Sequence, residues 1–208
     1  AAMPLFRPFL RLLGVDVTRM QEALRNVDTL REKIEEVSSV PDKFDDCFSE
    51  RGWIIYDYMN LEVARRAIEL ADAGAYDAAE RELVSYYSPD EVRRQLKFMI
   101  AVAAFKPRMR LAERAADDYE AKRFHACVPV VLALMDGLVS ELSETRRGFF
   151  AEEAGLTAWD CIAAHDKGLT ALARILQKGR RKTNGARIAV PYRHGIMHGM
   201  DLGYDNDL

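Results

Sequence analysis

The 208-residue chain is 49% hydrophobic and 30% charged, with a formal charge of −3, the mix of an ordinary soluble protein and not of a disordered one, with room for a substantial core. No apolar run approaches the ~20 residues that cross a bilayer, and the opening Met3 to Leu13 stretch, interrupted by two prolines and two arginines, lacks the small-residue cleavage site of a signal peptide. Three cysteines, Cys47, Cys127 and Cys161, show no CxxC spacing, which predicts small core residues in a reducing cytoplasm and not a disulfide framework or zinc knuckle.

Along the chain nearly every segment carries the helical period, and none alternates for long. Val17 to Val37 places Met20, Leu24, Val27, Leu30, Ile34 and Val37 on one stripe of a helix, and Pro41 closes that neighbourhood. Phe44 to Leu70 opens on aromatic residues (Phe48, Trp53, Tyr56, Tyr58), expected to form a packing nucleus, and turns helical from about Asn60. Gly74 precedes a helix from about Tyr76 to Tyr87. Ser88-Pro89-Asp90-Glu91 reads as a helix start, with serine as N-cap, proline at the first position and acids in the first turn. Pro107 marks a boundary before a helix reaching about Arg123. Val128 to Leu142 is strongly apolar on most sides, with one small or polar face of Ala133, Asp136, Gly137 and Ser140; Pro129 either starts this helix or kinks it. Gly148 and Gly155 bound a connector to a helix from about Thr157 to Gln177, and Lys178 to Gly185 is a basic, glycine-containing loop. The last helix is expected near Pro191. The whole reads as all-α, an antiparallel helical bundle over 106–208 with an N-terminal helical region over 1–105. The chain stops ten residues after His198, which would leave the last helix short and points to a natural chain that continues past Leu208.

Charge singles out one end. The 34 residues from Lys167 to Met200 hold eight Lys/Arg and no Asp or Glu, so the rest of the chain carries −11. Within that run, Pro191-Tyr192-Arg193-His194-Gly195-Ile196-Met197-His198-Gly199 places one guanidinium and two imidazoles within six residues. Residues four apart share a helix face, so His194 and His198 are expected one turn apart. Gly195 and Gly199 each cost a helix about 1 kcal/mol against alanine, which predicts close approach of another backbone or a ligand.

Three chemistries are open to such a pair. The histidines are ordinary helix residues with satisfied hydrogen bonds, or they begin a zinc site with His125, His165 or Asp136 as further ligands, or they move protons in metal-free phosphodiester cleavage. The last fits the basic surroundings. A ribose 2′-hydroxyl must lose a proton and the leaving 5′-oxygen must gain one, which histidine does near neutral pH. Arginine presents fixed donors to the charge that gathers on phosphorus-bound oxygen.

Arg193-His194-Gly195-Ile196-Met197-His198 resembles the signature of the HEPN superfamily, an arginine followed by a polar residue and, after four to six residues, a histidine. Tyr119 to Leu142 also resembles the second long helix of such domains. The resemblance covers roughly the last 100 residues. It implies a helical bundle that dimerises with two motifs facing one cleft, and metal-independent endoribonuclease activity in toxin–antitoxin, defence or stress-response systems. Carried onto this chain it makes Arg193 and His198 the catalytic pair, with His194 orienting or assisting, although histidine stands where related chains often have asparagine or aspartate. It implies RNA as partner, a homodimer, no metal and no cofactor, and a possible antitoxin protein. Some members of the superfamily have lost catalysis and act as helical interaction modules.

Two supporting expectations complete the site. Asp136, inside an apolar stretch, needs a cation, and Arg193 or a motif histidine is expected to supply it; otherwise it sits exposed on the polar edge. Lys178, Arg180, Arg181, Lys182 and Arg187 are placed to steer RNA phosphates. Without interleaved aromatics, the loop shows no sign of base stacking.

Overall fold

The computed structural model of the protein describes residues 38–142, 148–151, 161, 163, 168–179 and 181–206. Two compact units divide the chain, Ala1–Val40 and Pro41–Leu208. The helix expected over Val17 to Val37 lies outside the described residues, as does most of 157–167. Among the described residues the fold is all-α, without a strand. Its helices are α1 (Val40–Phe48), α2 (Leu61–Asp72), α3 (Tyr76–Tyr86), α4 (Pro89–Met99), α5 (Met109–Glu120), α6 (Phe124–Leu142), α7 (Gly168–Leu176) and α8 (Arg193–Met197), with 3₁₀ turns at Ser49–Arg51 and Ala103–Arg108.

Helix starts follow local chemistry. Asn60 caps α2 by accepting the Glu62 N–H at 2.9 Å, and Ser88 caps α4 by accepting the Glu91 N–H at 3.3 Å with Pro89 behind it. Pro41 stands in the first turn of α1, where a missing N–H is harmless, so the residue expected to close the preceding neighbourhood also helps open a helix. Pro129 lies inside α6, which starts at Phe124, five residues before it.

α2 and α3 form a hairpin across the turn at Gly74, whose φ is +75°. Ala64, Ala67, Ala71 and Ala79 are buried along it, and Leu83 is fully buried. Small residues let the two backbones approach closely. Phe44 and Phe48 lie fully buried 4.9 Å apart, with the Phe48 ring edge-on to Tyr76 at 6.3 Å. The expected aromatic nucleus thus exists in its α1 part, whereas Tyr58 is exposed and stacks on Phe98 at 5.2 Å.

α4 packs on α5, and α5 on α6. A second core gathers Leu132, Val139, Phe149, Ile175, Leu176 and Ile196, joining α6, α7 and α8. Helix α6, at 19 residues and mean hydropathy 1.5, is long and apolar enough to cross a membrane by those measures alone. It carries Asp136 and packs against α5, the 3₁₀ turn before α5, and α8, as a bundle helix does.

Candidate functional site

Arg193, His194 and His198 come together on α8 because a proline-led turn starts the helix and a glycine ends it. Tyr192, extended at φ −60° and ψ 105°, is the N-cap, so Pro191 stands one residue outside the helix and not at its first position. Five residues are helical. The His198 N–H then donates to the His194 carbonyl at 3.2 Å, and Gly199 at φ +66° turns the chain away. Both imidazoles are exposed, with ring centres 4.5 Å apart. The predicted one-turn stacking is present.

The opposite face of α8 buries Gly195 and Ile196. A Cβ on Gly195 would lie 1.9 Å from Oδ2 of Asp201, which is fully buried. The close approach expected at Gly195 therefore comes from the chain's own carboxylate. Nothing lies within 4 Å of the space beside Gly199, whose requirement is its positive φ.

Asp201 belongs to a polar clip that sequence reasoning missed. Its Oδ1 accepts Asn184 Nδ2 at 3.2 Å, and a parallel bridge pairs the two residues. Asn184 N–H donates to the Met200 carbonyl at 2.7 Å, and the Asn184 carbonyl accepts the Leu202 N–H at 2.9 Å. The Met200 and Asp201 N–H groups both donate to the Gly195 carbonyl, at 2.7 and 3.0 Å. Farther on, Asn206 Nδ2 donates to the carbonyls of Ile188 and Gly203. The chain after α8 is thus sewn to the loop before it. The signal was present: Asn184-Gly185 is a turn dipeptide, and Asp201 is the first carboxylate after the acid-free run.

Arg193 is half-buried, its guanidinium 5.4 Å from the centre of the Phe150 ring. Asp136 does not pair with it. Among the described residues no ion pair joins Asp136 to Arg193, His194 or His198; its Oδ1 accepts the Phe150 N–H at 3.4 Å. The expected cation is replaced by a backbone donor, which a half-buried carboxylate on α6 can reach. Asp136 and Arg193 therefore meet at the two sides of one residue, and any support that Asp136 gives the motif passes through Phe150.

Gly137 likewise serves a different neighbour. Its carbonyl accepts Arg108 Nη2 at 2.9 Å, and the Arg108 guanidinium fills the space where a Cβ would be, while Nη1 pairs with Glu141 at 2.6 Å. The small face of α6 thus holds an arginine of the same chain at this position.

The basic loop runs against the motif. A Cβ on Gly179 would sit 3.5 Å from Cδ2 of His194. Lys178, Arg181, Lys182 and Arg187 are exposed, and Arg180 lies outside the described residues. Exposed imidazoles beside exposed cations can exchange protons with, and attract, a phosphate-bearing ligand. Of the residues considered as further zinc ligands, His125 stands 3.4 Å from Asp205, and His165 is outside the described residues. No three His, Cys, Asp or Glu side chains gather as a metal-holding group among the described residues.

Compared with profiles of protein families, with curated proteins and with solved structures, the chain matches none. Its likeness to the HEPN signature rests on the motif residues and their placement.

Proposed function

We propose that the protein is a metal-independent endoribonuclease of the HEPN type, acting in the cytoplasm in a toxin, defence or stress-response setting. The reading is carried by one juxtaposition: His194 and His198 are exposed with ring centres 4.5 Å apart, on the helix that Arg193 begins, with the basic loop folded against His194 at Gly179.

In the proposed reaction one imidazole takes the 2′-hydroxyl proton. The 2′-oxygen attacks phosphorus, the bond to the 5′-oxygen breaks, and an imidazolium returns a proton to that oxygen. The products are a 2′,3′-cyclic phosphate and a 5′-hydroxyl. Arg193 holds the charge on the non-bridging oxygens, and Lys178, Arg181, Lys182 and Arg187 draw in the backbone. His198 is the principal proton carrier and His194 its orienting or assisting neighbour. A homodimer would supply a second copy of each group, separating base from acid. DNA lacks the internal nucleophile and is not a substrate.

Cleavage of total RNA in EDTA tests this directly. His198→Ala should lower the rate by about 10²–10⁴-fold while the helical circular dichroism stays unchanged. Equal inertness of wild type and variant overturns the nuclease.

The second reading is a non-catalytic helical interaction module. It is favoured by the exposure of Leu111 (55%) on α5 and Val131 (43%) on α6 and by the −11 charge outside the basic run. An antitoxin-like protein captured equally by wild type and His198→Ala, with no RNA cleaved by either, would establish it.

A further inference from the structure

Helix α6 is the most apolar described helix, yet only Cys127, Leu132 and Val139 of its 19 residues are buried. One reason is a cavity of about 660 Å³ against its first three turns. The cavity reaches from Trp53 and Tyr87 on one side to Met135 and Leu172 on the other, with Val131 on its wall. Arg193, His194 and His198 do not line it. Its size falls in the range of small-molecule sites.

The interior is neutral. The Tyr119 hydroxyl donates to the Tyr87 carbonyl at 2.5 Å, and the Tyr87 hydroxyl to that of Tyr56 at 3.4 Å. Burial pushes both phenols upward and raises the Cys127 thiol, so none is charged near neutral pH. Trp53 and Tyr87 stack at 6.0 Å and give the cavity a flat aromatic wall.

Among the described lining residues, charge appears only at the rim, with Glu120 at the end of α5 and Lys122 on the turn that follows it. Glu120 is tied to Arg93 at 2.5 Å. Lys122 forms no ion pair among the described residues, and it holds φ +56° in a turn closed by Lys122 N–H to Tyr119 O at 2.9 Å and Arg123 N–H to Asp118 O at 2.7 Å. Glycine is the residue that such a turn favours. A lysine there keeps a cation at the mouth at a conformational cost.

We propose that this cavity binds a small amphipathic carboxylate of the medium-chain fatty acid class, its acyl chain lying along α6 and its carboxylate at Lys122. Charge complementarity selects that occupant: apolar walls take an uncharged body, and the one unpaired rim charge among the described residues is positive. The site is independent of the nuclease reading and uses none of its residues.

The test is calorimetric titration of the full chain with octanoate and with octan-1-ol. One octanoate per chain is expected, bound about 1.5- to 5-fold more tightly than the alcohol, the range of an exposed charge pair. Lys122→Gln should erase that preference and leave octanol binding intact. Val131→Trp, at a wall position open enough to tolerate the larger ring, should abolish binding of both, and Met135→Phe should weaken it if the tryptophan variant fails to fold. Absence of saturable binding, equal affinity for acid and alcohol, or binding indifferent to both wall substitutions overturns the proposal. So does a wild type that binds neither ligand but loses a dimer on Val131→Trp, which would make a second copy the occupant.

Discussion

In the α2–α3 hairpin, four buried alanines and one fully buried leucine set two helices side by side, and the turn between them needs only Gly74. Around α8, five helical residues bury one glycine and one isoleucine, and hydrogen bonds from Asn184, Met200, Asp201 and Leu202 do the holding. The first arrangement is apolar, periodic and built from neighbours in sequence. The second is polar, aperiodic and closes over 17 residues between Asn184 and Asp201. A helix as short as α8 has too few turns to stand by itself, so the exposed histidine pair owes its geometry to the clip.

The two regions should break differently. Leu83→Ala in the hairpin should cost about 2–5 kcal/mol of global stability, the range for a fully buried leucine, while the proposed RNA cleavage, below the melting transition, should stay near wild type. Thermal melts and rates on the same samples check both halves. Selective loss of cleavage without loss of stability would show that the two regions are coupled.

Gly195→Ala should cost about 1–3 kcal/mol, as overpacking does, and its effect should be concentrated at α8, since the new methyl meets the Asp201 carboxylate. Asp201→Ala in the same chain should relieve part of that clash, so the double variant should be less destabilised than the two single costs added together. Strict additivity in denaturant melts would mean that Asp201 is not what excludes a side chain at Gly195.

This contrast also explains what could be read from the residues in order. The apolar period of Leu61–Asp72, the Ser88-Pro89 start and the glycine after the motif are local signals, and the structure contains each of them. One-turn spacing likewise placed His194 beside His198. The partner of Asp136 lies beyond such signals, because electrostatics asks only for a donor and the Phe150 N–H arrives by folding, not by spacing. Arg108, on the 3₁₀ turn before α5, fills the gap beside Gly137 from 29 residues away, which no periodicity announces. Trp53, expected to pack, stacks on Tyr87 and also lines a cavity.

Asp136→Ala sharpens the comparison on the other flank of the motif. Losing the carboxylate that accepts the Phe150 N–H should cost about 0.5–1.5 kcal/mol, less than either change above. If Phe150 positions Arg193 through its ring, the variant should also lower kcat for the proposed RNA cleavage with little change in KM, and Asp136→Asn, which keeps an acceptor oxygen, should restore much of it. Unaltered cleavage by Asp136→Ala would confine Asp136 to a structural part.

The smallest effect belongs to the hairpin's neighbour α4, where electrostatics is local and exposed. Glu91 accepts from Arg94 Nε at 2.7 Å and Nη2 at 2.6 Å, from Gln95 at 2.7 Å and from the Tyr86 hydroxyl at 3.0 Å. The Arg94 guanidinium holds the carboxyl down to about 2, against an ordinary 4.5. A carboxyl depressed by folding stabilises above its unfolded value and loses that contribution as the pH falls toward the folded one. Glu91→Gln should therefore lower stability at pH 7 by a few tenths to about 1 kcal/mol, since Arg94 stands largely in solvent. The gap between variant and wild type should start to close below about pH 4.5 and vanish near pH 2. Denaturant melts across that window measure it, and a gap that stays constant with pH would place the role of Glu91 in its uncharged contacts with Tyr86 and Gln95.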